Sequence, residues 1–476
     1  MKPARRVVLG LAVLALLGLA AVAGVVLYLQ AQGVTPRALA PYIERRAAGH
    51  NALITGTGNT VGGVLRRLDR GAAGEPFPLP LLVVGAQPEA VGVAGPGHTV
   101  TTVDEARQAF AAAQAGDTIT FMPGVYRVRG KLEARRPGRQ EAPIVVRAAR
   151  PGSVTIEFEA TEGFSVSAPW WRFENLVIRG ACGTPAACEH AFHVVGQARG
   201  FASVNNTVTD FNAHFKVNGD GSNFPDDGRI VNNTLSNGAV RQTTSPVTPI
   251  DLVAANGWIV QANLITDFVK GWGDGVSYGA FAKGAASGTV FERNVVVCEH
   301  LLRGQPGQRV GLSFGGGGTG KPYCRDKRCI TEHDAGTMRA NLVASCSDAG
   351  IYVNSGAGSR IDANTLLDTA GIQVRFPESS ARLEGNLIDG SAISRDGGQL
   401  RSGDNLIDSI ATLYLGQHPQ RGLFADPAVL DLRWNDAAPR RRADEDAASS
   451  ADLCGAERPA APVYGAFEDF AACLRR

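Results

Sequence analysis

The 476-residue sequence predicts a right-handed parallel β-helix over residues 98–430, a solenoid in which every coil repeats one turn. Three observations indicate this fold: a recurring asparagine, a recurring alternating strand and an amphipathic helix at its start. Asparagine suits a repeated turn because it tolerates left-handed backbone geometry and its amide hydrogen-bonds to the next coil. Nine asparagines, 19 to 47 residues apart, each precede two residues drawn from Leu, Val, Ile and Thr: Asn175, Asn206, Asn233, Asn263, Asn294, Asn341, Asn364, Asn386 and Asn405.

An uncharged apolar segment, Val7–Leu29, lies near the N-terminus. It is long enough to cross a bilayer core of ~30 Å as a helix and too long for a typical signal-peptide core. Basic residues precede it, so the positive-inside rule keeps the N-terminus in the cytoplasm and exports the rest to the periplasm or beyond. We expect residues 1–30 to be an uncleaved membrane anchor, with cleavage near Ala21–Ala23 as the alternative. Residues 31–97, rich in Ala, Gly and Pro, are expected to form a stalk or linker with one helix.

The first coil of a solenoid needs a cap, and the sequence provides one. Thr102 and Glu105 have the spacing of a capping box, in which each side chain bonds to the other residue's backbone N–H. Ala106, Ala109 and Phe110 follow on one apolar face, and Gly116 is expected to end the helix.

One strand pattern recurs ahead of most of the asparagines. Its residues alternate, so that Phe192, Phe215 and Val276, for example, face the core while their neighbours face outward. A slip of one residue would bury Lys216 and Asp251, which fixes the register. The outward residues, called the wall below, are His193, Lys216, Asp251, Ser277, Ser313, Tyr352 and Gln373, flanked by His214, Asn218, Asn354 and Arg375.

The wall is the candidate functional surface. It gathers imidazole, amine, phenol and guanidinium groups on one face, with adjacent rungs ~5 Å apart. Such groups move protons near neutral pH or bind anions. The alternative is a polar face that only keeps the protein soluble, but such a face would be richer in Glu, Thr and Ser.

The eight cysteines form pairs at positions that disulfides can bridge. Cys298 and Cys346 follow successive asparagines at nearly the same coil position, where parallel strands are ~4.8 Å apart. Even pairing indicates an oxidising compartment. The expected disulfides are Cys182–Cys188, Cys298–Cys346, Cys324–Cys329 and Cys454–Cys473, the last of which ties down a C-terminal tail of residues 431–476. A metal site formed by Cys324, Cys329 and His333 is the alternative for the third pair.

Charge and motifs argue against two classes of partner. A net charge of +2 does not favour nucleic acid or another polyanion bound by bulk attraction. The glycines from Gly315 to Gly320 and Lys321 fit part of a phosphate-binding loop, but Pro322 replaces the required Ser or Thr, so we expect no nucleotide. The Arg440–Arg442 run, followed by acidic residues 444–446, predicts a solvated and poorly ordered tail.

Two segments, together with the cap, resemble the start of a known enzyme family. Gly116–Tyr126 reads GDTITFMPGVY and Ala142–Ala148 reads APIVVRA. Both are similar to the opening of chondroitinase B and related alginate lyases, which are right-handed β-helix enzymes that cleave acidic polysaccharides by β-elimination. The resemblance covers most of residues 98–410 and implies a uronate-containing polysaccharide as substrate.

The resemblance also implies catalytic roles. Family members use calcium to neutralise the uronate carboxylate, a lysine to remove the C5 proton and an arginine on the next coil to assist the leaving oxygen. Arg375 matches that arginine, and Asp348 matches one acidic ligand of calcium, which is therefore an expected cofactor. Ser355 stands at the lysine position and Gly350 at a second calcium ligand, so the family chemistry is only partly present.

Three functions fit these residues. A lyase or epimerase would need a relocated base, for which the wall offers His193, His214, Lys216 or Tyr352. A glycoside hydrolase would need paired carboxylates, of which the wall carries only Asp251. A non-catalytic glycan-binding protein of the envelope would need the wall alone.

We expect the lyase or epimerase among these functions. Arg375 would bind the carboxylate or assist the leaving oxygen, Tyr352 would donate a proton, and Lys216 or a histidine would act as base. The expected substrate contacts are Asp251, Asn218, Ser277, Ser313, Asn354 and Gln373.

Overall fold

The computed structural model describes residues 2–70, 76–89, 96–316, 318–442 and 450–475. Within these residues the chain forms the predicted right-handed parallel β-helix, in which successive coils add strands to three long sheets. Strands on neighbouring coils pair in parallel in all three sheets. The fold therefore presents three elongated faces, one of which carries the wall.

The strands are grouped as follows among the described residues. The first sheet comprises Gly97–Val100, Thr118–Phe121, Ile144–Ala148, Trp171–Glu174, Ala202–Val204, Arg229–Val231, Ile259–Gln261, Val290–Glu292, Thr337–Arg339, Ser359–Asp362, Ser380–Glu384 and Gln399–Ser402. The second, here named the wall sheet, comprises Leu132–Ala134, Glu162–Val166, His190–Val195, Ala213–Asn218, Ile250–Val253, Val276–Lys283, Gln308–Phe314, Ile351–Asn354, Gly371–Arg375 and Ser391–Arg395. The third comprises Gly124–Val128, Val154–Phe158, Val177–Gly180, Thr207–Thr209, Thr234–Ser236, Leu264–Thr266, Val295–Val297, Leu342–Ala344, Thr365–Leu367, Leu387–Ile388 and Leu406–Ile407. Smaller sheets pair Ala286–Ser287, His333–Asp334 and Gly356–Ala357, and join Phe424–Asp426 to Asp431–Trp434.

A ladder of buried asparagines joins the coils at one corner. From Asn233 to Asn405, each Nδ2 donates to the Oδ1 of the asparagine on the next coil over 2.8–3.1 Å. The same oxygen accepts a backbone N–H, as where Asn263 N–H donates to Asn294 Oδ1 at 3.0 Å. Each link satisfies polar groups that burial would otherwise leave without partners.

The left-handed residue of the turn is generally the one before the ladder asparagine, which differs from the expectation. Asn232, Ala262 and Arg293 each have φ of 54° and each precede a ladder asparagine. Asn175, with φ of 63°, follows the expectation. The repeated asparagine is therefore explained mainly by its amide hydrogen bonds and not by its backbone freedom.

The interior is filled by side chains that stack from coil to coil. Phe164, Phe192 and Phe215 stack with ring centroids 5.0–5.1 Å apart. The capping helix spans Val103–Ala112, and its capping box forms as predicted between Thr102 and Glu105. This helix ends before the expected Gly116, and its buried residues close the first coil.

All eight cysteines lie in the described residues and form the four predicted disulfides. The Cα atoms of Cys298 and Cys346 are 4.8 Å apart, so this disulfide joins successive coils. Because Cys324 and Cys329 are bonded to each other, they offer no thiolate to a metal ion beside His333. Such complete pairing is typical of an oxidising compartment.

Three helices precede the β-helix: α1, Lys2–Ala31; α2, Pro36–Ala47; and α3, Ala52–Arg70. The Leu11–Gln30 part of α1 is long and apolar enough to cross a membrane, by length and composition. The expected stalk with one helix is instead a hairpin of α2 and α3 that packs on the coils. This hairpin brings residues from before the β-helix onto the end of the wall.

The helical hairpin is fixed to the coils by buried charges. The Arg37 guanidinium donates to Asp69 of α3, to Asp368 Oδ1 at 2.6 Å and to the Asp368 carbonyl at 2.6 Å. His418 Nδ1 lies 2.7 Å from Asp389, and its Nε2 lies 2.8 Å from the Leu68 carbonyl. Burial disfavours the protonated form of His418, but the hydrogen bond and charge of Asp389 outweigh burial and raise the pKa of this imidazole.

The C-terminal segment covers the outside of the third sheet. Phe424, Phe467 and Phe470 form a second apolar cluster with residues of that sheet. Arg441, within the tail predicted to be loose and solvated, is buried and pairs with Glu384 at 2.7 Å. The acidic residues 444–446 of that prediction lie outside the described residues.

We expect Asn294→Ala to lower the free energy of unfolding by about 2–3 kcal/mol, because groups on two neighbouring coils lose buried partners. Urea denaturation of the purified protein measures this change. Asn223 is exposed, and the matched Asn223→Ala should stay within about 0.5 kcal/mol of wild type. Equal effects of the two substitutions would contradict the importance of the ladder.

We expect Arg37→Met to weaken docking of the hairpin by about 3–5 kcal/mol, because Asp69 and Asp368 lose a buried cation. Amide hydrogen exchange of α2 and α3 should rise while exchange of the coils stays unchanged. Arg66→Met is the control, because Arg66 is half exposed where it pairs with Glu44 and such pairs contribute about 0–1 kcal/mol. Unchanged protection of the α2 and α3 amides in Arg37→Met would contradict the role of Arg37 in docking the hairpin.

Candidate functional site

Strand pairing sets the order of side chains along the wall. Tyr352 lies opposite Ser313 on one side and Gln373 on the other. The row that contains them reads His193, Lys216, Asp251, Phe281, Ser313, Tyr352, Gln373 and Ile393. A neighbouring outward row contains the adjacent residues Asn354, Arg375 and Arg395.

The prediction for Ser277 was wrong. The strand Val276–Lys283 extends further than expected, and Phe281 takes the place on the wall that was assigned to Ser277. Ala280 correspondingly replaces Val276 in the inward stack. Ser277 lies opposite Arg309 and is fully buried, so it is not a substrate contact on the exposed wall.

The middle of the wall is buried. Asp251, Phe281 and Ser313 are each at most 3% exposed. The predicted polar row is therefore interrupted and does not form one continuous surface. Lys216 and Tyr352 are four strand steps apart, or roughly 19 Å at the spacing of a parallel sheet.

The first group of wall residues consists of His193, Lys216, Asn218 and Asp251, and its members are hydrogen-bonded or ion-paired within the protein. Lys216 Nζ lies 2.8 Å from Asp251 Oδ2. His193 Nδ1 lies 2.9 Å from Glu162, and its Nε2 lies 3.0 Å from Asn218 Oδ1. These contacts engage the side chains expected to act as base or to bind substrate.

His214 does not lie on the exposed wall. It is fully buried, and its Nε2 lies 3.0 Å from the Ser236 carbonyl. Burial lowers the pKa of His214 to about 3. Because a substrate does not reach this imidazole, its predicted role as base is wrong.

Lys283 is a wall residue that the sequence analysis missed because the strand was ended at Tyr278. Its ammonium lies 4.3 Å from the centroid of the Phe281 ring, and within the described chain it makes no ion pair. Burial lowers the pKa of Lys283, and the neighbouring Asp251 offsets part of this shift. Continued alternation from Gly279 to Lys283 was the signal for the longer strand.

The second group surrounds Tyr352. Asn354 Nδ2 donates to the Tyr352 hydroxyl at 3.2 Å. Burial raises the pKa of Tyr352, while the adjacent Arg375 opposes the shift. Arg375 also pairs with Asp396 and lies over the ring of Phe376. The predicted neighbours Tyr352, Asn354, Gln373 and Arg375 are therefore brought together.

Asp348 lies beside Tyr352 at the start of the same coil. Its carboxylate accepts from the Ala349 N–H at 2.9 Å and from Gln308 Nε2 at 3.1 Å. Burial raises the pKa of Asp348. Tyr278, whose pKa is also raised by burial, packs with Tyr352 and Ala349. A carboxyl group and a phenol with raised pKa values thus share one site.

A cleft of about 1520 Å³ lies between this second group and the helical hairpin. Its floor includes Asp348, Tyr352 and Arg375, and its roof is formed by α2 and α3. Seven arginines and three carboxylates line it among the described residues: Arg37, Arg45, Arg66, Arg67, Arg309, Arg375, Arg395, Glu44, Asp348 and Asp396. The cleft therefore has an excess of positive charge.

Three of these arginines, Arg45, Arg67 and Arg395, make no ion pair within the described part of the chain. They are exposed and face the cleft from α2, α3 and the last strand of the wall sheet. No sequence signal identified Arg45 and Arg67, because their position depends on the docking of the hairpin against distant coils. Arg395 was missed although it ends the strand Ser391–Arg395, which follows Asn386 and pairs with the strand of Arg375. The three guanidinium groups remain available to an anionic ligand.

The surroundings of Asp348 do not fit a calcium ion. Calcium takes six to eight oxygen ligands, several of them usually carboxylates. Asp348 instead has Arg37 and Arg395 as its charged neighbours, and it belongs to no cluster of metal-ligating side chains in the described residues. Cationic side chains occupy the environment in which the resemblance implied a metal.

No family model and no curated protein matches the sequence. Among solved structures, a pectate lyase (Pel9A) is 14% identical with a TM-score of 0.46, covering 79% of this chain and 98% of its own. An alginate lyase from Paenibacillus is 12% identical with a TM-score of 0.33, covering 66% and 99%. A lacto-N-biosidase from Eubacterium ramulus is 12% identical with a TM-score of 0.42, covering 66% and 67%. At these identities and TM-scores, the likenesses assign no chemistry to this chain.

Proposed function

We propose that this protein is a membrane-anchored enzyme that acts outside the cytoplasm on an acidic, uronate-containing polysaccharide. The reaction is β-elimination or epimerisation at C5 of a uronate. The observation that carries this proposal is the arginine-rich cleft, whose floor combines a carboxyl group and a phenol with raised pKa values. The apolar helix and the four disulfides support the anchor and the compartment.

The arginines provide the first requirement of this chemistry. The C5 proton of a uronate becomes acidic only when the charge of the neighbouring carboxylate is masked. Arg375 and Arg395, side by side on adjacent strands, bind that carboxylate. They take the role that calcium has in the family resembled by the sequence.

Asp348 and Tyr352 provide the proton transfers. Ionised Asp348 removes the C5 proton, and the electron pair forms the C4–C5 double bond as the C4–O4 bond breaks. Tyr352 gives its proton to the departing O4, and Asn354 and Arg375 stabilise the resulting phenolate. In epimerisation Tyr352 returns a proton to the opposite face of C5 instead.

The other wall residues are too distant for these steps. Lys216 and His193 lie beyond the buried middle of the wall. C5 and O4 belong to one glycosidic linkage, so the groups that act on these two atoms must lie close together. Asp251, which a hydrolase would need, is buried and bonded to Lys216. The remaining alternative is glycan binding without turnover, in which the arginines of the cleft bind the carboxylates and no proton is transferred.

We expect absorbance near 232 nm to rise when the protein acts on one of alginate, pectate, chondroitin, dermatan or glucuronan, with or without calcium. Asp348→Asn and Tyr352→Phe should each lower kcat/KM by about 10²–10⁴-fold. Glu133→Gln and Tyr323→Phe, far from the cleft, should retain the wild-type rate. Binding without any absorbance change or epimerised product would support the glycan-binding alternative.

The pH dependence of kcat/KM follows from the two pKa shifts. Asp348 acts when ionised, so activity should rise with pH through a pKa above the ordinary value of ~3.9. Tyr352 acts when protonated, so activity should fall only above its ordinary pKa of ~10. Asp348→Glu should stay active, and the acidic limb of its profile of kcat/KM against pH should be displaced to a different pH. An acidic limb that is unchanged in Asp348→Glu would exclude Asp348 as the base.

We expect Arg45→Gln and Arg67→Gln each to raise the Kd for a uronate hexasaccharide about two- to fivefold, because both guanidinium groups are exposed. The difference in Kd between each variant and wild type should shrink as the salt concentration rises toward 1 M. Titration calorimetry of the full chain measures both effects. Arg46→Gln, on the same helix but outside the cleft, is the matched control and should bind like wild type.

A further inference from the structure

The connection between α1 and the body is short and rigid. Val34 N–H donates to the Leu29 carbonyl at 2.9 Å, and Gly33 N–H donates to the Gln30 carbonyl at 3.1 Å. Gly33 has φ of 66°, which completes the hydrogen-bonded turn that commonly ends a helix. Thr35 then caps α2 by accepting from Ala38 N–H at 3.2 Å.

This connection is also fixed to the last coils. The Tyr414 hydroxyl donates to the Val34 carbonyl at 3.2 Å. Gly33 lies so close to Ile393 that a Cβ at this glycine would be 2.9 Å from the Ile393 side chain. The apolar helix therefore joins the body through a short turn that contacts the last coils, and no long stalk separates the two.

The cleft begins where the apolar helix ends. The segment suited to crossing a membrane is Leu11–Gln30, and Leu29, Gln32 and Gly33 line the cleft. At 1.5 Å per residue along a helix, the rim of the cleft lies within a few ångströms of the end of that segment.

A second apolar contact adjoins this junction. The short helix Ile410–Tyr414 packs against α1, and Leu415, directly after it, is 70% exposed. An exposed leucine beside the end of a membrane helix is placed to enter the interfacial region of a bilayer. With α1 as the proposed membrane anchor, both observations place the body at the membrane surface.

We infer that the substrate of this cleft is an acidic glycan attached to a membrane lipid, of which the first sugars at the bilayer surface are bound. The inference rests on the proposed function and specifies its substrate class. A cleft whose rim lies at the bilayer surface binds the sugars nearest the lipid. A body held away from the membrane by a long stalk would not reach those sugars. Arg45 and Arg67 of the roof and Arg395 of the floor, which make no ion pair in the described part of the chain, bind the carboxylates of these sugars.

The test uses the full chain in phosphatidylcholine vesicles and two probes. One is a uronate trisaccharide coupled directly to a diacylglycerol, and the other is the same trisaccharide free in solution. The variant carries an 18-residue Glu-Ala-Lys helix inserted between Tyr28 and Leu29. This insertion lifts the body by about 27 Å over five whole turns, and it retains the turn at Leu29–Val34.

We expect wild type to cleave or epimerise both probes. The insertion variant should lose about tenfold or more of its rate on the lipid-linked probe and keep its rate on the free probe. Equal rates of both proteins on the lipid-linked probe would overturn the inference, as would wild-type activity confined to the free probe. Both outcomes leave the proposed function intact, whereas no turnover of either probe by wild type would overturn the two together.

Discussion

The asparagine ladder is the interaction on which the rest of the structure depends. Its amides fix the vertical position of every coil from Asn233 to Asn405, and coil position determines which side chains become neighbours on the wall sheet. A long insertion between Asn294 and Asn341 leaves this register unchanged, because their amides still meet at 3.0 Å. The arrangement of side chains on the wall sheet therefore depends on hydrogen bonds at the opposite corner of each coil.

Distance along the solenoid separates two groups that look equivalent in the sequence. Lys216 and His193 have charged or amide partners of their own, which stabilise the early coils. Tyr352 and Asp348 have raised pKa values and face an open cleft. Residue type alone does not distinguish a structural ion pair from a reactive group, whereas burial, partners and access to a cavity do.

The sequence predicted the repeat, the cap and the disulfides because each depends on local pattern or on one repeated spacing. It also predicted the neighbours of Tyr352, since alternation within two adjacent strands was read correctly. It failed at Ser277, where the strand was ended too early, and at His214, which is buried beside the Ser236 carbonyl of the next coil. Arg45 and Arg67 were missed for a related reason. The hairpin that carries them is docked by Arg37, which contacts residues more than 300 positions away in the chain, and no local pattern encodes such a contact.

The contacts of Arg37 determine when the hairpin can dock during folding. Its partners, Asp368 and the Cys346 carbonyl, belong to late coils, so the hairpin has no docking site until those coils have formed. The first coils are able to fold on their cap before the hairpin docks. The cleft is consequently completed only once these coils are in place, and a chain truncated before them would be partly folded yet lack the cleft.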